Sequence, residues 1–442
     1  MTQASPWNSR FCSTLSFEDI YARVGVAPAV LQHLSRLSPT EAEFRLEWAL
    51  RAVFVPTAQI VAVLHQLHEK ARVYSAGAYP SIDAYVQGIY AVESKNSTGT
   101  PICITGLAGV GKSAIVKALA RLMPPTGSVD VPGHANIVAR SLDRFIMAPA
   151  LTSRAALQRE TEHGSVDVPK SDLTARSLYR DGVALICIDE FQGVASASAT
   201  NTRAAALLLQ AARLGPPLVF IANFSLVHKF MNRKNEDQHR LLNRPIVIEV
   251  DEPGSLDWVR TLQGFVAVAP EVLKFDPQID GDEIHHLTAG LKRLVIELII
   301  IAYRMARADG RESVGIADLS DAYRSVDYTI FRTDVEALTT LAVQGKMTGR
   351  KDLECPFPNV PRTSNVVVAQ EAIDQYKKRI DEEHLRSSLT AQEREGLELL
   401  GAGSKATSNV PQSAKVLGMK RKKQTVESLL AAEDAFRKDK DL

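Results

Sequence analysis

A glycine-rich segment, residues 106–113, most constrains the fold of this chain. It reads Gly-Leu-Ala-Gly-Val-Gly-Lys-Ser and matches the pattern G-x-x-x-x-G-K-[ST]. The short apolar run 102–105 precedes it, and residues 114–122 carry apolar side chains at helical spacing. A strand must therefore end abruptly, turn its backbone N–H groups toward an anion, and open a helix whose dipole favours the same anion. This succession predicts a phosphate-binding loop in an α/β fold.

Each residue type in the loop suits a nucleotide. The glycines allow the turn and the close approach of the backbone to phosphate. Lys112 supplies a point charge for the β- and γ-phosphates, and Ser113 supplies a hydroxyl for Mg²⁺. The cofactors that the loop implies are ATP and Mg²⁺. The residues predicted to bind the nucleotide are Gly106, Leu107, Ala108, Gly109, Val110, Gly111, Lys112, Ser113 and Ala114.

Two acids follow a second apolar run. Residues 183–188 read Val-Ala-Leu-Ile-Cys-Ile, an unbroken run that a central parallel strand needs because both of its faces are buried. Asp189 and Glu190 come next. We expect Asp189 to hold the metal through water and Glu190 to orient the attacking water. This acid pair favours a hydrolysing ATPase over a kinase, which needs its acid near the acceptor.

A third apolar run, residues 218–222, ends in Asn223. An amide at the carboxyl end of a strand beside the phosphate strand is placed to hydrogen-bond the γ-phosphate or its water. The alternative is an ordinary turn residue after a strand. Together with the loop and the acid pair, Asn223 resembles the sensor 1 residue of the AAA+ class of ATPases. That resemblance implies a P-loop NTPase core, with a parallel sheet flanked by helices, followed by a helical lid.

Three arginines match further positions of the AAA+ class. In AAA+ assemblies an arginine just before the next strand, here residues 246–250, reaches the ATP of the neighbouring subunit and stabilises the transition-state charge. Arg240 and Arg244 both fit that position, and each can equally be a surface charge. Arg293 ends the sequence Gly-Leu-Lys-Arg and matches the G-x-x-R sensor 2 pattern, in which a lid arginine reaches the γ-phosphate. For Arg293 too, a charge on a helix surface is the alternative.

The chain resembles one AAA+ family more specifically. Residues 220–229 and 235–242, with the junction 189–192, are similar to the target-selection ATPases of cut-and-paste transposons, the TnsC and TniB kind. The matched motifs lie within residues 100–250. The resemblance implies an ATP-dependent regulator of DNA transposition that oligomerises as a ring or filament on double-stranded DNA. It also implies that the regulator links a target-site recognition protein to the transposase subunits and is switched by ATP hydrolysis.

Other nucleotide-binding classes share parts of this pattern. A replication initiator or helicase loader is also an AAA+ ATPase on DNA, and a transposon neighbourhood in the genome would distinguish the two. A STAND-type signalling ATPase commonly lacks the glutamate and needs a sensor repeat array, which this sequence does not show. A metabolic P-loop kinase would not need Glu190, Asn223 and a lid arginine, and an assay with small acceptors would expose it.

The composition is that of an ordinary globular protein. With 442 residues, 45% hydrophobic and 23% charged, the chain is long enough for two or three domains. Its formal net charge of +1 means that any contact with nucleic acid has to come from local patches. Four cysteines without metal spacing, no signal peptide and no apolar segment long enough for a bilayer favour a cytoplasmic protein without a membrane partner.

The predicted domain order has four parts. They are a helical N-terminal region separate from the core (1–98), the ATPase core (99–252), a helical lid (253–345) and a C-terminal extension (346–442). The extension carries a polar linker at 401–412, a basic run at 415–423 and an amphipathic helix at 426–436. This tail is a solvated end, a docking peptide or a DNA-gripping arm.

The core contains an unusually long stretch between the phosphate loop and the acid pair. Within it, Gly-Ser-Val-Asp-Val-Pro at 127–132 recurs at 164–169, and Ala-Arg-Ser-Leu at 139–142 recurs at 175–178. Local duplication or two similar turns is one interpretation. In the other, basic residues on loops and helices face the pore of a ring or filament and touch DNA phosphates. These residues are Arg140, Arg144, Arg154, Arg159, Lys170 and Arg176.

Overall fold

The structure, a computed structural model, describes residues 5–11, 15–90, 99–148, 156–161, 164–167, 174–189, 198–345 and 349–357. The strands within these residues are β1 (Ile102–Gly106), β2 (Gly127–Val131), β3 (His134–Ala139), β4 (Leu142–Ala148), β5 (Ala156–Thr161), β6 (Gly164–Asp167), β7 (Leu185–Asp189), β8 (Leu218–Asn223) and β9 (Pro245–Ile248). The helices are α1 (Pro6–Arg10), α2 (Phe17–Val24), α3 (Pro39–Ala52), α4 (Ala58–Ala78), α5 (Ile82–Tyr90), α6 (Lys112–Leu122), α7 (Ala175–Arg180), α8 (Ser198–Ala211), α9 (Phe224–Met231), α10 (Asn235–Leu242), α11 (Leu256–Val266), α12 (Gly281–Thr288), α13 (Lys292–Ala308), α14 (Ile316–Arg324) and α15 (Thr329–Gln344).

The main sheet has the strand order β6-β5-β4-β7-β8-β1-β9. The strands β4, β7, β8, β1 and β9 run parallel, whereas β5 and β6 pair antiparallel beyond β4. The predicted α/β class, a parallel sheet flanked by helices, is confirmed. The chain leaves β1 for the β4 side of the sheet and later returns to β9 on the other side of β1. In open α/β sheets, such a change of direction leaves a ligand-binding crevice at the carboxyl ends of the strands.

Alternate side chains of the central strands enter two different cores. Ile104 of β1 and Val219 of β8 pack with α2, α4 and α6, whereas Cys103 and Phe220 pack with α8, α9 and α10. Successive side chains of a strand point to opposite faces, so burial of both faces requires unbroken apolar runs. Every residue of β1 and of β7 is buried. These runs could therefore be recognised as strands in the sequence.

The N-terminal helices pack on the core instead of forming a separate region. The helices α2 and α4 lie against α6, and α3 shares a core with the helices after β9. The Gln59 side chain on α4 donates to the Val247 carbonyl at 3.0 Å and accepts from the Glu249 N–H at 3.3 Å. It thereby satisfies backbone groups along the outer edge of the sheet. The region is helical, but the expected separation is wrong, and the boundary at residue 98 stays a prediction.

The described residues of the long stretch before β7 are mostly β structure, not the loops and helices of the interpretation in which they face DNA. The strands β2 and β3 form their own antiparallel hairpin, and β5 and β6 extend the main sheet. The second echoed sequence takes two conformations, since residues 139–142 join β3 to β4 whereas residues 175–178 lie in α7. The first echoed sequence begins as a strand in both copies, in β2 and in β6, so the two echoes differ in whether they share a structure.

Two of the basic residues that one interpretation placed on DNA form ion pairs within the fold. The Arg159 guanidinium lies 3.0 Å from the Asp143 carboxylate, and Arg140 pairs with both Asp143 and Asp181. Burial raises the pKa of Asp143 despite these arginines, which compensate a carboxylate inside the fold. Of the remaining basic residues, Arg144 lies on β4 and Arg176 on α7, and Arg154 and Lys170 lie outside the described residues.

The helices after β9 form a second core. The helices α11 to α14 pack together with α3 around buried residues such as Trp258 and Leu298. After α15, residues 349–357 contact α9, where the Glu354 carbonyl accepts a hydrogen bond from His228 Nε2 at 3.0 Å. The lid boundaries 253 and 345 stay predictions, and the linker and basic run of the tail lie outside the described residues. No described helix combines the length and apolarity that crossing a bilayer requires.

Candidate nucleotide-binding site

Two glycines allow the loop after β1 to approach its neighbours closely. A Cβ atom on Gly106 would lie 2.5 Å from the Ile248 carbonyl oxygen of β9. Gly109 has a φ of +87°, in the left-handed region, and a Cβ there would lie 2.9 Å from Cβ of Arg293. Val110 is buried, Leu107 is half-buried, and Ala108 is exposed. The loop thus presents its backbone at the N-terminus of α6, where helix N–H groups attract anions.

Lys112, the first residue of α6, is folded back over the loop. It is 5% exposed, and its Nζ donates to the carbonyl oxygens of Gly106 at 2.9 Å and Leu107 at 2.7 Å. Burial lowers the pKa of Lys112 from 10.5 to about 8, although the Asp189 carboxylate favours the charged form. The buried ammonium is therefore only partly compensated, and a phosphate would supply the missing negative charge.

Nucleotide binding is expected to take up protons at alkaline pH. Between pH 8 and 10.5 the Lys112 amine of the nucleotide-free protein is mostly deprotonated, whereas an ordinary lysine is protonated. A bound phosphate raises the pKa of Lys112, so the amine takes up a proton when the nucleotide binds. Calorimetric titration with ATP at pH 9, in buffers of different ionisation enthalpy, should show this uptake. In Lys112→Arg the uptake should disappear, because a guanidinium stays charged at pH 9. Equal binding enthalpies in all buffers for the wild type would contradict the assignment of Lys112.

Polar residues end β8, which neighbours the loop strand β1, and β7, which lies on the far side of β8. Asn223 is the last residue of β8 and lies in register with Gly106 of β1. Asp189 is the last residue of β7, the next strand along. The carboxyl ends of parallel strands share one edge of the sheet, so both side chains lie on the side of the loop. Asn223 Oδ1 is shielded from solvent and has no hydrogen-bond partner among the described residues, which leaves this oxygen able to accept a hydrogen bond from a water.

The predicted metal ligands lie at the same edge. Ser113 is the second residue of α6 and is exposed, and Asp189 is buried but close enough to Lys112 to influence its pKa. A hydroxyl and a carboxylate are oxygen ligands of the kind that Mg²⁺ prefers. Glu190 directly follows Asp189 but lies outside the described residues, so its role as the water-orienting group stays a prediction. Ala114 follows Ser113 in the first turn of α6.

The first turn of α13 contacts the loop. The Arg293 N–H donates to the Gly109 carbonyl at 3.3 Å, and only the absence of a Cβ at Gly109 allows this approach. The Arg293 side chain is exposed. The structure therefore brings Arg293 to the loop across more than 180 residues of sequence, with its side chain exposed.

The two arginines before β9 differ in their surroundings. Arg240 on α10 pairs with Glu236 at 2.8 Å, and both side chains are at least half exposed. Arg244 is exposed and forms no ion pair with any residue that the structure describes. It lies at the amino end of β9, and β9 pairs Pro245 with Cys103 and Ile248 with Gly106. Arg244 is thus at the edge of the sheet opposite the loop, about 13 Å of strand away.

An ion pair near the loop was not predicted. Lys292 Nζ lies 3.0 Å from Asp251 Oδ2, between the first residue of α13 and the segment that follows β9. An acid shortly after an apolar strand is the same signal that singled out Asp189, and it could have drawn attention to Asp251.

The chain matches no protein-family model and no curated protein. The Aeropyrum pernix ORC1 protein in complex with DNA is 15% identical, with 67% of this chain and 74% of that chain covered and a TM-score of 0.38. The ADP form of the Aeropyrum pernix ORC2 protein is 14% identical, with 63% of this chain and 71% of that chain covered and a TM-score of 0.36. The Thermotoga maritima RuvB Holliday junction branch migration motor is 13% identical, with 62% of this chain and 75% of that chain covered and a TM-score of 0.31. Similarity at this level transfers no property to this chain.

Proposed function

We propose that the chain is an AAA+ ATPase that binds and hydrolyses ATP at the carboxyl edge of its sheet. The observation that carries this proposal is the register of Asn223 with Gly106, on a strand that lies between the loop strand and the strand ending in Asp189. Hydrolysis needs a group that holds a water beside the γ-phosphate. The Asn223 amide lies in register with Gly106, the first residue of the loop, and this position supports a role in holding that water.

The residues at this edge suit ATP with Mg²⁺. The loop from Gly106 to Ala114 would hold the phosphates, and the partly compensated charge of Lys112 favours an anionic ligand. Ser113 and Asp189 would hold Mg²⁺, which when bound neutralises charge on the phosphate oxygens. Glu190 would orient the attacking water, and Arg293 would reach the γ-phosphate from the lid.

The active site is shared between copies of the chain in this proposal. Arg244 lies at the opposite edge of the sheet from the loop of its own chain. It can therefore act only on a nucleotide that a neighbouring copy holds, where a guanidinium stabilises the charge of the phosphoryl transition state. A ring or filament of copies supplies such neighbours. Arg240 is the second candidate, although its guanidinium already forms an ion pair with Glu236 of the same chain.

The proposed partners are double-stranded DNA, a target-site recognition protein and the transposase subunits. They rest on the resemblance of residues 220–229 and 235–242 to the TnsC and TniB kind of transposition regulator. In this role the ATP-bound oligomer assembles on target DNA and links the two protein partners. ATP hydrolysis then acts as the switch that ends the assembly.

DNA binding is expected to depend on ATP and strongly on salt, with little sequence preference. Phosphate contacts release counterions and carry no base information, so affinity falls steeply as salt rises. With a net charge of +1, the chain needs assembly to multiply weak contacts. Fluorescence anisotropy with a labelled random-sequence duplex, with and without ATP across a salt series, measures both effects.

Lys112→Ala is the matched control for this measurement, because it removes the nucleotide response without touching a surface charge. Its DNA affinity should equal that of the wild type without ATP. Equal DNA affinity of the wild type with and without nucleotide would contradict an ATP-driven assembly on DNA.

A further inference from the structure

The start of α13 is fastened to the phosphate loop through its backbone. The Arg293 N–H donates a hydrogen bond to the Gly109 carbonyl at 3.3 Å, and this bond holds the main chain of α13 beside the loop. Such a bond sets where the Arg293 side chain begins, but a single hydrogen bond contributes little net stability. A second constraint is needed to hold this turn in one place over the loop.

The Asp251 carboxylate supplies that second constraint. Asp251 follows β9, whose pairing with β1 fixes its position relative to the loop. Its Oδ2 lies 3.0 Å from Lys292 Nζ, and the two side chains are only 10% and 20% exposed. The contact lacks the alignment of a hydrogen bond, so it is an electrostatic pair. Poor exposure to water strengthens such a pair relative to one on the open surface.

The backbone of Asp251 holds the preceding lid helix as well. Its carbonyl accepts a hydrogen bond at 2.9 Å from Nε2 of His285 on α12. Burial lowers the pKa of His285, so the ring is neutral and donates from Nε2. Gly290, with a φ of +68°, leaves room for this ring, since a Cβ there would lie 2.4 Å from Nε2. Asp251 therefore touches the helices on both sides of the turn that leads to Arg293.

We propose that Asp251, through its ion pair with Lys292, is a positioning residue that holds Arg293 over the phosphate loop. This inference rests on the proposed function, in which Arg293 reaches the γ-phosphate. Lys292 precedes Arg293 directly, so any shift of the Lys292 backbone displaces the guanidinium as well. A displacement of about 1 Å in a positioned group can cost about a hundredfold in rate.

The first test is a double-mutant cycle on ATP hydrolysis. Lys292→Met and Asp251→Asn should each lower kcat about tenfold and change KM for ATP less than about threefold, because a misplaced group acts mainly in the transition state. In an Arg293→Ala background, neither change should lower kcat further, since the group that it positions is gone. Lys292→Arg keeps the charge and should restore most of the rate.

The matched control is Asp327→Asn, which breaks an exposed ion pair of the lid with Arg304. It should leave kcat unchanged, and thermal melting should show that all variants fold. Additive losses in the double variants would overturn the proposal, as would full activity of Arg293→Ala.

The second test needs neither nucleotide nor hydrolysis. Hydrogen–deuterium exchange of the peptide covering residues 289–297 reports the Arg293 amide that bonds Gly109. Lys292→Met and Asp251→Asn should speed this exchange at least about tenfold, because the closed state of this turn loses stability, while Asp327→Asn should not. Unchanged exchange would overturn the positioning role even if the wild type hydrolyses ATP. Faster exchange in a protein that does not hydrolyse ATP would instead show that the contact is real and the proposed function is wrong.

Discussion

Replacing Glu190 by glutamine is expected to slow ATP hydrolysis about 100- to 1,000-fold while leaving ATP affinity within about twofold. The amide keeps the size of the side chain but replaces one acceptor oxygen of the carboxylate by an NH2 donor, so it no longer orients the attacking water in the same way. Asp189, Ser113 and Lys112 remain to hold the metal and the phosphates, so binding persists. Phosphate release at saturating ATP, with a fluorescent analogue to measure binding, separates the two quantities.

The control for Glu190→Gln is the same change at Glu336, an exposed glutamate of α15. It should leave both hydrolysis and binding at the wild-type level. Hydrolysis by Glu190→Gln at the wild-type rate would show that another group orients the water.

Arg244→Ala is expected to lower ATP hydrolysis at least about 1,000-fold with nucleotide binding nearly intact, because a finger supplied by a neighbour acts on transition-state charge. Arg240→Ala should change hydrolysis less than about threefold, since Arg240 is already paired with Glu236 on the surface. The measurement is steady-state hydrolysis at protein concentrations that allow assembly. Arg324→Ala, which removes an exposed lid arginine paired with Asp321, serves as the control.

Loss of hydrolysis in Arg240→Ala with full activity in Arg244→Ala would transfer the finger role to Arg240. Full activity of both variants would remove the shared site from the proposal.

The centre of the fold could be predicted from the sequence because its signals are local. The strands β1, β7 and β8 are buried on both faces, which forces continuous apolar runs. The polar residues that end β7 and β8 follow these runs directly. Since parallel strands end at one edge, recognising the strands was enough to expect Asp189 and Asn223 on the side of the loop.

Other features could not be predicted because they depend on contacts distant in sequence. Gln59 covers the edge of β9 through hydrogen bonds to residues 188 and 190 positions away. Arg140 and Arg159 looked like DNA-binding charges because the buried carboxylate of Asp143 that they compensate carries no local signature. Exposed strands such as β3 lack long apolar runs, so the β structure before β7 was missed.

The contact between Arg293 and Gly109 could be predicted from the sequence only in part. The short G-x-x-R pattern indicated Arg293, but nothing local indicated that its backbone would bond the loop or that Asp251 would pair with Lys292. Contacts of this kind become visible only when the lid helices are placed beside the sheet.

The most direct test of the central claim, a nucleotide site completed by a neighbouring copy, is ATP hydrolysis by mixtures of two inactive variants. Lys112→Ala is expected not to bind ATP but keeps Arg244, whereas Arg244→Ala is expected to bind ATP but lacks the proposed finger. Mixed at equal concentrations, they should form some sites with an intact loop from one copy and an intact arginine from the other. We expect the mixture to recover a measurable fraction of wild-type hydrolysis, and no recovery at any mixing ratio would contradict a shared site.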